Sequence, residues 1–332
     1  MTKRFLCLII LIFLCSSPVA AKPYTVGIIP YLPASEFVVA DYKGFYEAEG
    51  LDVESIYYSS TGDWVRALSA GKLDFSGLWN ATQVDMYYRG STARRLALMS
   101  YDSGDYKMVV KKGLTAKDLK GMPIAVFADY FGTHVFIQDY LKKAGLGIKD
   151  VKLIEMTNLE GYKNLKSGRV KAMVFDGKYI DRAIDEEIAE IANIDDGVYL
   201  AATTGGPSYF ENGRKIPRSD LKKMVRAWVK SIIWIEDPTN RAEFKKILTQ
   251  AFKANLALVG LEHANDFEKK KPHNMLVSVK NLREVNNKTP EMFEKLNRIW
   301  KSLGYQGQSR AYKEELMFDS SLIMEILTEM KL

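Results

Sequence analysis

The sequence predicts an α/β protein of two doubly wound lobes followed by a mostly helical C-terminal region. Three observations carry this prediction. A strand–helix–strand run is packed into residues 43–78, strands and helices alternate again from Tyr106 to Ile191, and the pattern turns almost wholly helical after Arg218.

Residues 24–29 read as the first strand, which stops at Pro30, and residues 34–42 as a helix with apolar Phe37, Val38 and Ala40. A helical stretch at 45–49 ends at Gly50, where a left-handed cap favours a residue without a Cβ. Residues 52–58 form the next strand and 59–62 a small polar turn. Thr61 is expected to cap a helix from about Gly62 to Ala70, which Gly71 stops. Residues 73–78 are again a strand. A crossover helix between these strands makes them parallel and puts the polar turn at the carboxyl end, where open α/β sheets bind ligands. Asn80 is expected to cap a helix over 80–88, and 95–99 reads as a strand.

The second unit opens with a strand at 106–111, then a short helix with Thr115 and Asp118 spaced as in a capping box. Strands at 123–127, 151–155 and 170–175 alternate with helices at 132–144 and from Asn158 to Gly168. Residues 179–191 read as one helix. Beyond Arg218, residues 220–235 carry Leu221, Met224, Val225, Trp228, Ile232 and Ile235 at helical spacing. Helices at 244–256, 290–303 and 320–330 follow.

The first 21 residues have the parts of an export signal: Lys3 and Arg4, an apolar core over 5–14, and small residues ending at Ala21. That core is too short to span a bilayer, so cleavage and a periplasmic location are expected. Cys15 suggests lipidation as the alternative, against which bulky Leu14 argues. Cys7 and Cys15 are the only cysteines, so the mature chain is expected to hold neither disulfide nor reactive thiol. The net charge of +6, spread along the chain, does not point to nucleic acid. The three histidines, His134, His263 and His273, are too scattered for a metal site, and no nucleophile elbow or phosphate loop occurs. No catalysis, cofactor or metal is expected.

The segments KGFYEAEGLDVE, ALSAGKLDFSG and DLKGMPIAVF resemble the nitrate/sulfonate/taurine and thiamine-precursor group of solute-binding proteins. The likeness runs in matching order from about Tyr24 to about Ile233. It implies a type II periplasmic binding fold with a two-segment hinge, crossing near 102–106 and 199–206. Lobe 1 would then take residues 22–104 and 204–332, and lobe 2 residues 105–203. The resemblance also implies a monomer that hands a small molecule to an inner-membrane ABC permease and its ATPase. A sensory role, with docking on a membrane receptor, is the alternative partner class. A pyrimidine-synthesising branch of the fold uses a cysteine-rich iron-binding segment, which a cysteine-free mature chain lacks.

Aromatic, hydroxyl and carboxylate groups gather after the strands. The candidate ligand contacts are Tyr31, then Ser60, Thr61, Asp63 and Trp64, then Trp79 and Asn80, then Asp102 and Asp105. The second unit adds Tyr130, Thr133 and Asp176. Flat rings can sandwich a ligand ring or surround an ammonium group, and carboxylates can pair with its charge. Structural alternatives stand beside several: core packing for Trp64, helix-dipole pairing for Asp63, caps for Asn80 and Asp176, and exposed hinge loop for Asp102 and Asp105. Anion-binding relatives place small hydroxyl residues, in a pattern like GSSAH, where this chain has Asp129-Tyr130-Phe131-Gly132-Thr133-His134. The substitution favours an amine or a pyrimidine-like thiamine precursor over a sulfonate or nitrate, which remain the alternative ligands.

Overall fold

The computed structural model describes residues 22–29, 34–58, 61–101, 106–127, 131–175, 177–252, 276–304 and 311–332. The expected export signal lies outside the described residues. The chain runs β1 (Tyr24–Ile28), α1 (Ser35–Tyr42), α2 (Phe45–Ala48), β2 (Val53–Tyr57), α3 (Thr61–Ser69), β3 (Phe75–Trp79), α4 (Asn80–Tyr88), β4 (Arg94–Arg95) and β5 (Ser100–Tyr101). It continues through β6 (Lys107–Lys111), β7 (Pro123–Val126), α5 (Phe131–Lys142), β8 (Lys152–Glu155), α6 (Asn158–Ser167), β9 (Ala172–Phe175), α7 (Lys178–Asp185), β10 (Ala189–Ile191) and α8 (Asp196–Thr203). Then come β11 (Thr204–Tyr209), α9 (Arg218–Glu236), α10 (Arg241–Ala251), α11 (Leu282–Asn287), α12 (Thr289–Ser302) and α13 (Ser321–Glu329).

Two sheets result, ordered β2-β1-β3-β11-β4, with β5 also on β11, and β8-β7-β9-β6-β10. Each has three parallel strands, then an antiparallel one, then an edge strand. In both, the antiparallel strand is the first that the chain forms on arriving from the other sheet. β6 follows the outward crossing and β11 the return. The similar architecture of the two units is thus an identity of strand order.

Two features depart from the sequence reading. Residues 179–191 divide into α7 and the strand β10, because Glu187 takes a left-handed φ of 55° and Ala189–Ile191 then pairs with β6. The strand expected at 95–99 is a bulge. Arg95 lies opposite Ser208 and Ser100 opposite Gly205, so four residues of one strand face two of β11. The backbone left over at Leu98 is met by Asn286 of α11, which accepts from its N–H at 2.8 Å and donates to its carbonyl at 3.1 Å.

The return crossing expected near 199–206 falls where the end of α8 runs directly into the start of β11. Its glycines serve close packing: a Cβ on Gly205 would lie 2.8 Å from the Leu78 carbonyl, and one on Gly206 would strike the Ala97 carbonyl. Gly206→Ala must therefore push two backbones apart. A loss of ~1–3 kcal/mol is expected in urea denaturation, and an unchanged midpoint would contradict it.

The helix α12 packs between the two units. Met292, Phe293, Leu296 and Trp300 form its buried stripe, and they pack with Ala81, Val84, Tyr87 and Tyr88 of α4 and with Val135 and Phe136 of α5 in one core. Trp300 stacks on Tyr88 with ring centroids 3.9 Å apart. Far from covering the first sheet alone, α12 joins the core that backs the second. The first sheet's other face is sealed by α9, whose six expected apolar residues are all buried. Trp228 anchors that face: its ring meets Phe37 and Phe75 edge-on, and its N–H donates to the Tyr46 hydroxyl at 2.7 Å.

Candidate functional site

The crossings bring edges of the two sheets together. Four residues separate Tyr101 from Tyr106, a reach of at most ~17 Å, and α8 passes into β11 without a break. In the first sheet Trp79 lies opposite Gly205 and Tyr101 opposite Thr204, so the ends of β3, β5 and β11 form one edge. In the second, Lys107 lies opposite Phe175 and Val126 opposite Val174, which puts Lys107 and Phe127 on the edge that the outward crossing reaches. These are the carboxyl ends of the parallel strands, the usual ligand side of such sheets.

Opposed residues in a ladder share a face, and so do residues two apart along a strand. Gly77 lies against the Phe37 ring of α1, so Trp79, Gly205 and Ser100 all face α1. The half-buried Trp79 lays its indole over Gly205, where a Cβ would come within 2.8 Å of the ring. The missing side chain at Gly205 is what gives the indole its place. From α1 itself comes Glu36, fully buried, with neither carboxyl oxygen in a hydrogen bond. Burial pushes its pKa from the ordinary 4.5 to about 8, and its own backbone amide and the nearby Ser100 hydroxyl offset that only in part.

On the opposite face of the first sheet, Arg95 is equally buried. Its guanidinium donates to the carbonyls of Gly206 and Leu78 and, at 3.1 Å, to Asn80 Oδ1. Burial lowers its pKa to about 9, which leaves it a cation at neutral pH. At the second edge, Thr133 in the first turn of α5 shares a 2.8 Å hydrogen bond with the Tyr106 hydroxyl. The Tyr106 and Tyr199 rings both meet Phe136 edge-on. Beside them opens a hollow of about 390 Å³, lined by Lys107, Met108, Phe136, Ile194, Asp196 and Tyr199. That volume suits a small organic molecule. Lys107 turns its ammonium to Asp181 at 3.1 Å.

The candidate contacts therefore separate. Tyr31, Ser60, Asp102, Asp105, Tyr130 and Asp176 lie outside the described residues. Thr61 opens α3 as its first residue, so the helix begins one position earlier than its expected role as cap implies. Asp63 is exposed and pairs with Arg66 one turn on. Trp64 is buried among Leu68, Leu73 and Leu78, with its N–H given to Ser76 Oγ at 2.9 Å, so it belongs to the core. Asn80 is not a cap but the first residue of α4, buried between Arg95 and the Met292 sulfur. Only Trp79 and Thr133 stand at the facing edges with their surroundings described.

Glu36 and Arg95 escaped the sequence reading. Glu36 left one signal, a lone carboxylate within the apolar run Phe37–Ala40 and Ala34. Among the described residues no three His, Cys, Asp or Glu side chains cluster to hold a metal ion, and no helix is long and apolar enough to cross a membrane.

A binding protein of Brucella abortus is 31% identical over 141 residues, which span 40% of this chain and 41% of that relative. Solved structures are similar across nearly the whole chain. A periplasmic sulfonate-binding protein from Methylobacillus flagellatus matches with a TM-score of 0.65 and 16% identity, covering 94% of this chain and 95% of that one. The periplasmic nitrate-binding protein of Synechocystis matches with a TM-score of 0.63 and 13% identity, covering 93% and 89%. At such identities the likeness establishes the periplasmic-binding fold. The model of the NMT1-like family matches residues 18–249, most of the chain, and the protein belongs to that family.

Proposed function

We propose that the protein is the exported solute-binding component of an ABC importer, which captures a small nitrogen-containing solute between two lobes and delivers it to an inner-membrane permease. The lobes are residues 22–104 with 204–332, and 105–203, although α4 and α12 of the first share a core with the second. The observation that carries the reading is the pair of like-ordered sheets, joined by short crossings, whose carboxyl edges both present aromatic side chains. Such a molecule works by binding: ligand contacts on both edges favour the closed arrangement, which the permease recognises. Tyr31, Ser60, Asp102, Asp105, Tyr130 and Asp176 are proposed to complete the grip that Trp79 and Thr133 begin.

Sulfonate and nitrate binding, which the similar structures carry in their names, is the second reading. The run Asp129-Tyr130-Phe131 at the start of α5, where hydroxyls would serve an oxyanion, weighs against it. Calorimetric titration with an aminopyrimidine, an alkylamine, taurine and nitrate decides between the two. Binding to one of the nitrogen bases is expected, and silence across the panel would remove the solute-binding reading altogether. Trp79→Ala should weaken binding of a flat base by roughly tenfold, the worth of one lost stacking face.

A further inference from the structure

Within that solute-binding reading, we propose that Glu36 is the specificity-determining anchor of the site and takes the paired N–H and ring-nitrogen edge of an amino-substituted heteroaromatic base. The argument starts from placement. Glu36 stands in the first turn of α1, the first helix after β1. Ser100, its hydroxyl neighbour, lies opposite Gly205, and Gly205 lies opposite Trp79. All three face α1. Carboxyl, hydroxyl and indole therefore line one short row along the edge that looks toward the second lobe.

Its chemistry is unusual for an interior. A carboxyl group without access to water normally finds an arginine, a lysine or several amides. Among the described residues no arginine or lysine pairs with Glu36 and neither oxygen has a hydrogen-bond partner; its own amide and the Ser100 hydroxyl only lower its pKa in part. The other titratable group whose field reaches it is the Tyr46 phenol of α2, whose oxygen accepts from the Trp228 N–H and which makes no hydrogen bond to Glu36. Burial keeps the carboxyl protonated near neutral pH, so it offers one O–H donor and one carbonyl acceptor side by side. An amidine-like edge, with an amino N–H next to a ring nitrogen, is the matching partner. A sulfonate or nitrate presents acceptors alone and would leave the carbonyl facing like charge. The ring that carries such an edge is flat and can stack on the indole of Trp79.

The test uses the exported protein, wild type, Glu36→Leu and Glu36→Gln, titrated calorimetrically with 4-amino-2-methylpyrimidine and with taurine, alongside thermal melting at pH 8. Wild type is expected to bind the aminopyrimidine, and Glu36→Leu, which offers neither donor nor acceptor, to bind it at least tenfold more weakly while melting at the same or a higher temperature. Glu36→Gln keeps a donor beside a carbonyl acceptor and should retain the binding. A carboxyl group that served only to hold the fold could not give that pattern. If the Leu variant binds as tightly as wild type, or binds weakly and also melts lower, or if the Gln variant binds no better than the Leu variant, the role of Glu36 falls while the solute-binding reading stands. If wild type ignores the aminopyrimidine and takes taurine, the base-recognition reading falls with it.

Discussion

Arg95→Leu is expected to lower the unfolding free energy by ~3 kcal/mol, and to do so by freeing the return crossing from the sheet. The side chain is 1% exposed and reaches across three neighbours: the Gly206 carbonyl on β11, the Leu78 carbonyl on β3 at 2.6 Å, and Asn80 at the start of α4. Leucine fills much of the volume but leaves these acceptors without a donor, and each stranded group costs ~1–3 kcal/mol. Relief from burying a cation returns part of that. Lysine should be little better, since a single ammonium cannot fork between two strands as a planar guanidinium does. Urea denaturation of both variants would measure the effect, and a Leu variant within ~0.5 kcal/mol of wild type would refute it, being no more than an ordinary surface change. Because Gly206 lies two residues inside β11, the same variant should also loosen ligand closure.

What could be read in advance was local. Gly50 and Gly71 do take positive φ, at 71° and 64°, where the helices end. The strands around α3 do run parallel to a common neighbour, β1. The stripe on α9 is buried as its spacing implies. In each case the deciding interaction lies within one helical turn or one crossover. What escaped is non-local. β10 is three residues long and exists because β6 offers it a ladder; nothing in residues 189–191 alone outweighs the helical context before them. The bulge at 96–99 depends on Asn286, far along the chain. Thr203-Thr204-Gly205-Gly206 has the composition of a flexible joint, yet its glycines are there because Leu78, Trp79 and Ala97 crowd them. Composition cannot distinguish a glycine that moves from one that is squeezed.

The site follows the same division. The placement of Trp79, half-buried at the end of β3, was legible because it directly follows a buried strand. Trp64 and Asn80 carry equally suggestive chemistry, but Ser76 and Arg95 claim them, and those partners meet them only in the folded sheet. Glu36 is the inverse. A carboxylate in the first turn of a helix reads as a favourable dipole pairing. Only the structure reveals that no cation among the described residues accompanies it.

Raising the pH from 5 to 9 should therefore destabilise wild type relative to Glu36→Gln by up to ~5 kcal/mol. The folded protein holds the Glu36 proton up to about pH 8, whereas the unfolded chain releases it near the ordinary 4.5. Between those values the folded state binds the extra proton, so its stability falls as the pH rises; below them both states are protonated and the cost vanishes. Above pH 8 the group must ionise in place or force an opening, and the loss reaches its plateau. Glutamine has nearly the same shape and no titration, so the two proteins should coincide at pH 5 and diverge smoothly after it. Tyr46, whose phenol is held well above its ordinary range by burial, stays neutral across this window and contributes no slope. Urea denaturation of both proteins at half-unit steps gives the profile. Parallel curves would mean that the carboxyl is already ionised and finds a counter-charge.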